Sequence, residues 1–264
     1  MIKPQILCTM DRGIGFGDAI MAHSTFKELS EKYKINAIVP DKTYSAFALY
    51  ASKYNVELYN VTSQSRFYTN DYVQVFNLIY WDVFNQLRNL PNHAINCIRK
   101  LGQLPLYSKD NKKELPEIEI PIEILNRIKL TISALKKPII LTHPLISYYN
   151  KMISSELYLE IVNELSKIGT VIQIGTTTDS KWIDKRFINL NTKTSLIETL
   201  AFIKLSDIIF CGDTFIQHAA AVLKTPCVVF FCGTTPMDFG YPFFKNIFNP
   251  IKVPCQLKCG RPMR

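Results

Sequence analysis

The sequence has no apolar run long enough to cross a bilayer as a helix. Its apolar segments are short and repeatedly broken by polar residues. Residues Met1 to Cys8 lack the apolar core of a secretory leader, so the expected compartment is the cytoplasm. The seven cysteines show no pairing pattern. Their number is odd and most lie in apolar runs, which argues against a disulfide scaffold. Cys8, Cys97, Cys211, Cys227 and Cys232 read instead as small core residues. Zinc-finger spacing, a helix-turn-helix pattern and aromatic RNA-binding motifs are all missing, and the lysines form no block. Nucleic acid is therefore not an expected partner. No internal repeat occurs either.

What is present is the composition of a globular chain. Of 264 residues, 47% are apolar and 20% charged, enough for one large core or two small ones. The formal charge of +9 has two readings. One is lysines spread over solvated faces. The other is attraction of an anionic partner, such as a nucleotide, an acidic glycan or a layer of lipid headgroups.

Short apolar runs and helical patterns alternate. Strands are expected over Gln5 to Met10, Ile35 to Val39 and Val73 to Ile79. Helices are expected over Ala19 to Lys32, Thr43 to Ser52 and Pro91 to Leu101. A charged turn and a Pro-containing extended stretch follow, then a linker helix over Glu123 to Leu135. The domain boundary is placed there, giving domains 1–135 and 136–264. The second series has strands at Pro138 to His143, Thr170 to Ile174 and Ile208 to Cys211, with a short edge element at Ile188. Its helices are expected over Ser155 to Ile168, stopped by Gly169, and over Ser195 to Leu205. This alternation implies α/β domains with parallel sheets.

The most informative stretch is 207–236. A buried strand gives way to Gly212, Asp213 and Thr214, then an Ala-rich helix carrying His218, a break at Lys224 to Pro226, a second strand and a Gly233–Thr234–Thr235 loop. Asp213 and Thr214 are good N-cap residues. The N–H groups of such a helix start face the crevice where α/β proteins bind anions. An earlier turn, Gly13, Gly15, Gly17 and Asp18, follows the first strand. Its spacing does not fit the dinucleotide fingerprint G-x-G-x-x-G. Asp18 there reads either as a helix cap or as a general base at a cleft edge.

These two segments resemble the heptosyltransferase family (family nine glycosyltransferases). The match rests on Asp213, Thr214, His218, Ala220, Ala221, Thr225, Pro226, Gly233 and Thr234, and on the Gly-rich turn ending in Gly17–Asp18. Phe215 departs from it, since the family usually has Gly there. The resemblance implies a GT-B arrangement, with two Rossmann-like domains facing a central cleft. It implies Asp18 as catalytic base, Lys151 on the donor diphosphate and Gly175 and Asp179 near the donor ribose. Asp213, Thr214, His218 and Thr234 would complete donor binding, with Gly13, Gly15 and Gly17 as a substrate-approach loop and the acceptor near Asn77, Tyr80 and Trp81. The implied donor is a nucleotide-diphosphate sugar, ADP-heptose by analogy, and the acceptor a glycan or lipid-linked glycan, with peripheral contact at the inner membrane face. The chain has no Asp-x-Asp pair of the kind that commonly holds a divalent metal on a sugar-nucleotide diphosphate, which fits metal-free catalysis. Cys255 and Cys259 have a metal-like spacing but no further nearby ligand, so two ordinary thiols is the preferred reading. Family members usually continue past the point matching Arg264 with helices that this sequence does not show. A non-catalytic nucleotide- or glycan-binding module and a nucleotide-sugar epimerase stay open as alternatives.

Overall fold

The computed structural model describes residues 3–62, 71–80, 94–107, 115, 117–144 and 151–248. The chain divides into two compact units, Met1–Ile118 and Glu119–Arg264. The helix expected as a linker belongs by contact to the second unit.

In the first unit, β1 (Gln5–Thr9) leads through the Gly-rich turn into α1 (Phe16–Lys32), followed by β2 (Lys34–Val39), α2 (Tyr44–Ala51) and β3 (Val56–Asn60). Next come β4 (Gln74–Asn77) and α3 (Ala94–Leu101). The strands are all parallel in the order β3-β2-β1-β4. Ile6, Cys8, Ile35, Ala37 and Val39 are fully buried, as central parallel strands require. α1 begins earlier than the sequence pattern indicates. Gly15 is its N-cap, and the Asp18 side chain, at the third helical position, accepts the Gly15 N–H. Gly17 and Asp18 therefore lie inside the first turn, where glycine's poor helix propensity hid them. The strand β3 was not recognised in the sequence.

In the second unit, α4 (Ile122–Ser133) precedes β5 (Ile139–His143), α5 (Ser155–Ile168), β6 (Thr170–Gln173), β7 (Ile188–Asn189) and α6 (Leu196–Leu205). Then follow β8 (Ile208–Gly212), α7 (Phe215–Leu223), β9 (Cys227–Phe231), α8 (Pro236–Phe239) and β10 (Lys245–Phe248). α4 packs on α6. The strands are parallel in the order β10-β9-β8-β5-β6-β7. Ile140, Tyr158, Val162, Val171, Trp182 and Phe187 form a core cluster on one face. The Tyr158 hydroxyl crosses that cluster, donating to Gln173 Oε1 at 2.8 Å and accepting from the Thr142 hydroxyl at 2.9 Å. Ser154 caps α5, and Ser195 with Glu198 forms a capping box on α6. Among the described residues, no helix is long and apolar enough to cross a membrane.

Candidate functional site

Each sheet has one place where the chain reverses its direction of strand addition. In the second unit β5, β6 and β7 run outward one way and β8, β9 and β10 the other, so the reversal lies between β5 and β8. Ligands of open α/β sheets bind beyond the carboxyl ends of the strands at such a point. His143, at the end of β5, is in register with Cys211 on β8. Two residues past Cys211 comes Asp213.

Asp213 is buried and holds three donors. The Lys151 ammonium and the Thr234 hydroxyl each lie 2.7 Å from Oδ2, and the Gln217 side-chain amide donates to Oδ1. Burial works to raise the Asp213 pKa, but the Lys151 charge, His218 and the two donated bonds hold it below the ordinary value. Thr214 is the N-cap of α7, its hydroxyl accepting the Ile216 N–H at 3.2 Å. His218 lies one turn further along α7, buried, with Nδ1 2.9 Å from the Tyr241 hydroxyl. Lys151 also stands over the Phe239 ring at 5.1 Å. The expected donor residues Lys151, Asp213, Thr214, His218 and Thr234 thus gather at the start of one helix.

Gly175, just past β6, has φ +142°, and a Cβ there would lie 3.1 Å from Asn191 Oδ1 and 3.2 Å from the His143 ring. Asp179 is not drawn into this group. It is exposed, caps the 3-10 turn Ser180–Trp182 by accepting the Lys181 N–H, and pairs with the Lys181 ammonium at 3.2 Å.

In the first unit the reversal falls between β1 and β4. The chain leaving β1 passes through Gly13, at φ +68°, to Gly15 and Asp18. The chain leaving β4 passes through Asn77 to Tyr80. The two meet where the Tyr80 hydroxyl donates to Asp18 Oδ1 at 2.5 Å, while the Gly15 N–H donates to Oδ2 at 2.6 Å. Asp18 is therefore both a helix cap and a carboxylate held from two sides, 8% exposed. Tyr80 is fully buried, so its hydroxyl is not open to a ligand directly. The Asn77 side chain folds back to accept the Ile79 N–H. Trp81, Cys255 and Cys259 lie outside the described residues. Among the described residues no group of three His, Cys, Asp or Glu side chains could hold a metal ion.

Gln217 and Tyr241 were not anticipated as partners of this site. Gln217 follows Asp213 by four residues, a spacing that brings side chains together on a helix and was available to read. Tyr241 is separated from His218 by a strand and a short helix, and no local pattern indicates their contact.

Two all-parallel α/β units, the second with a buried Lys–Asp pair at a helix start on its switch point, have the architecture of a nucleotide-binding protein. The sequence matches glycosyltransferase family 9 (heptosyltransferase) over residues 22–254, and the chain belongs to that family. It is a glycosyltransferase with the two Rossmann-like units of the GT-B fold. The matched span begins beyond Asp18. A family 9 glycosyl transferase from Veillonella parvula superposes with a TM-score of 0.68 at 14% identity, over 94% of this chain and 87% of that one. The E. coli ADP-heptose lipopolysaccharide heptosyltransferase II gives 0.56 at 14% identity, over 93% and 90%. E. coli heptosyltransferase WaaC, in a structure with ADP, gives 0.60 at 12% identity, over 97% and 96%. At these identities the likeness establishes the fold. No curated protein sequence matches the chain.

Proposed function

We propose that this glycosyltransferase moves a heptose-like sugar from a nucleotide-diphosphate donor to a glycan or lipid-linked glycan, with inversion and without a divalent metal. The observation that carries the reading is the Lys151–Asp213–Thr234 cluster at the start of α7. An ammonium fixed beside helix N–H groups is suited to collecting the negative charge of a departing diphosphate. The WaaC structure holds ADP, which supports an ADP-linked donor. The family's description as heptosyltransferases supports a heptose-like sugar.

In the proposed reaction Asp18 takes the proton of an acceptor hydroxyl. The oxygen attacks the anomeric carbon from the face opposite the diphosphate, a C–O bond forms, and the bond to the diphosphate oxygen breaks with its electron pair. The products are the inverted glycoside and a nucleoside diphosphate. Gly15 and Tyr80 hold the Asp18 carboxylate in one orientation, as a positioned base requires. His218 and Thr214 would contact phosphate or sugar hydroxyls, and Asp179 the ribose. The net charge of +9 supports peripheral contact with an anionic membrane face, where a lipopolysaccharide-type acceptor would be met.

The test is a thermal-shift panel of ADP-, GDP-, UDP- and dTDP-linked sugars, followed by mass analysis of a glycan acceptor incubated with whichever donor stabilises the protein. A selective rise in melting temperature, followed by a one-sugar mass gain that Asp18→Asn abolishes, is expected. No rise with any donor would end this reading.

A further inference from the structure

The lysines of the second unit are scattered along the sequence, and the fold gathers many of them. Its strands are all parallel, so every strand begins on one edge of the sheet, opposite the edge that carries Asp213. A lysine stands at the start of each. Lys137 comes just before β5, Lys167 before β6, Lys185 before β7, Lys204 before β8 and Lys224 before β9, and Lys245 is the first residue of β10. All of them are exposed. The carboxylates beside them are already paired: Asp207 with Lys137 at 3.0 Å, Glu164 with Lys167 at 2.6 Å and Asp184 with Arg186 at 2.7 Å. The Lys224 and Lys245 ammonium groups form no ion pair or hydrogen bond with any described residue. The edge therefore carries excess positive charge.

Cations favour the ends of helices, where carbonyls lack partners. That accounts for Lys167, Lys204 and Lys224 at the ends of α5, α6 and α7, and the Lys204 ammonium does cap the Leu223 carbonyl at 3.2 Å. It does not account for Lys185, in the loop before β7, or for Lys245, after the 241–244 turn. Large apolar side chains also stand among these charges. Phe243, two residues before Lys245, is 61% exposed, and Ile168, next to Lys167, is 59% exposed. Phe243 is held in place, its ring packed against Phe244 at 4.8 Å and Tyr241 at 5.5 Å.

We propose that this edge docks on an anionic lipid surface, with the lysines among the headgroups and Phe243 and Ile168 entering the interface. The inference rests on the membrane contact in the reading above and names the surface that makes it. Strands about 4.8 Å apart spread the lysines over roughly 24 Å, and lysines near a membrane are drawn to anionic headgroups. Apolar groups beside basic ones are what interfacial binding uses. A nucleic acid would engage the charges but offer Ile168 no apolar phase. A second copy of the same edge would set like charges against each other. The docking also sets an orientation. Strands of about five residues keep the Lys151–Asp213 corner roughly 17 Å from the bound edge, on the side where a soluble nucleotide arrives.

Co-sedimentation of the full chain with vesicles tests this, using phosphatidylcholine alone and phosphatidylcholine mixed equally with phosphatidylglycerol. Wild type should bind the mixed vesicles and not the neutral ones, and should be released as salt rises from about 0.1 M to 1 M. Lys185→Gln and Lys245→Gln should each weaken that binding roughly fivefold. Lys193→Gln removes the same charge from the opposite edge, past the end of β7, and should change it little. Phe243→Ser should be released at lower salt than wild type. Equal losses for Lys193→Gln and Lys245→Gln would mean that net charge alone acts, and would overturn the edge, as would equal binding to neutral vesicles. Displacement by a single-stranded oligonucleotide, with no effect of Phe243→Ser, would assign the edge to nucleic acid and overturn the lipid surface. Absence of binding to either vesicle overturns both the edge and the membrane contact, while the donor panel above judges the transferase chemistry separately. The lipid and salt comparisons use the wild-type protein, so a poorly folded variant does not blunt the test.

Discussion

The Tyr80 hydroxyl and the Asp18 carboxylate, 62 residues apart in sequence, are joined by a 2.5 Å hydrogen bond where β1 and β4 deliver their chains to the same switch point. A hydroxyl bound to a carboxylate this closely is charge-assisted and stronger than a neutral pair. It removes one rotational freedom from the proposed base, and the Gly15 N–H removes the other.

Tyr80→Phe keeps the ring and deletes only that bond. Loss of a hydrogen bond to a charged group costs about 1.5–3 kcal/mol, visible as a lower midpoint in denaturant. If Asp18 is the base, kcat should fall by about tenfold or more while the donor KM stays near wild type. A variant with lower stability but unchanged kcat would show that the bond serves only the fold, and would remove support from Asp18.

Lys151 and Asp213 should behave as a coupled pair. Removing one partner of a buried ion pair costs about 3–5 kcal/mol, because the other charge is left uncompensated. Lys151→Met and Asp213→Asn should each be strongly destabilising, and the double variant less so than their sum. The Asp213 pKa is depressed in the folded state. Its contribution is therefore complete above the ordinary aspartate value of about 3.9 and is lost as pH falls below that through the folded value. Acid unfolding of Asp213→Asn should be shallower than that of wild type in this range. Additive single-variant losses would mean that the 2.7 Å contact carries no coupling.

Much of this arrangement was legible in the sequence, because it is local. Thr214, one of two N-cap candidates beside an apolar pattern, is the cap of α7, while Ser195, expected as the first residue of its helix, caps it instead. The gathering of Asp213, Thr214 and His218 follows from helical spacing alone. What escaped was set by tertiary contact. Asp18 lies inside α1 because its side chain reaches back to the Gly15 N-cap, an interaction that outweighs the local cost of Gly17 in the first turn. Asp179 follows the expected strand, and its carboxylate also accepts the Lys181 N–H, a contact the sequence did not announce.

Gly169 was read as a helix stop, and the structure gives it a sharper reason. A Cβ at this position would lie 2.2 Å from the Pro138 carbonyl oxygen. The backbone of the α5–β6 turn approaches β5 too closely for any side chain, although φ is −158° and itself unstrained. Gly169→Ala should therefore destabilise by more than the loss of glycine flexibility would suggest, on the order of 2 kcal/mol or above, since backbone must move to relieve the clash. Thermal melts of Gly169→Ala beside Gly15→Ala, where the nearest contact is 3.3 Å from a side-chain oxygen, make the comparison. Equal losses would show that the turn yields easily.

His143 gives the protein a sensitivity to mild acid. Burial lowers its pKa from 6.5 to about 4, since the ring is desolvated where it packs beside Gly175, an effect its own backbone only partly offsets. Between those values the unfolded chain binds a proton at this site that the folded chain refuses. Stability therefore falls as pH drops from about 6.5 toward 4, and levels off below, where both states are protonated. This window lies above the one in which Asp213 acts, so the two are separable. His143→Gln, a neutral side chain of similar reach, should lose less melting temperature than wild type on going from pH 7 to pH 4.5. Nuclear magnetic resonance of the histidine ring protons supplies an independent reading, with the His143 ring still neutral at pH 5. Parallel melting curves for the two proteins across that range would mean that the His143 ring is solvated.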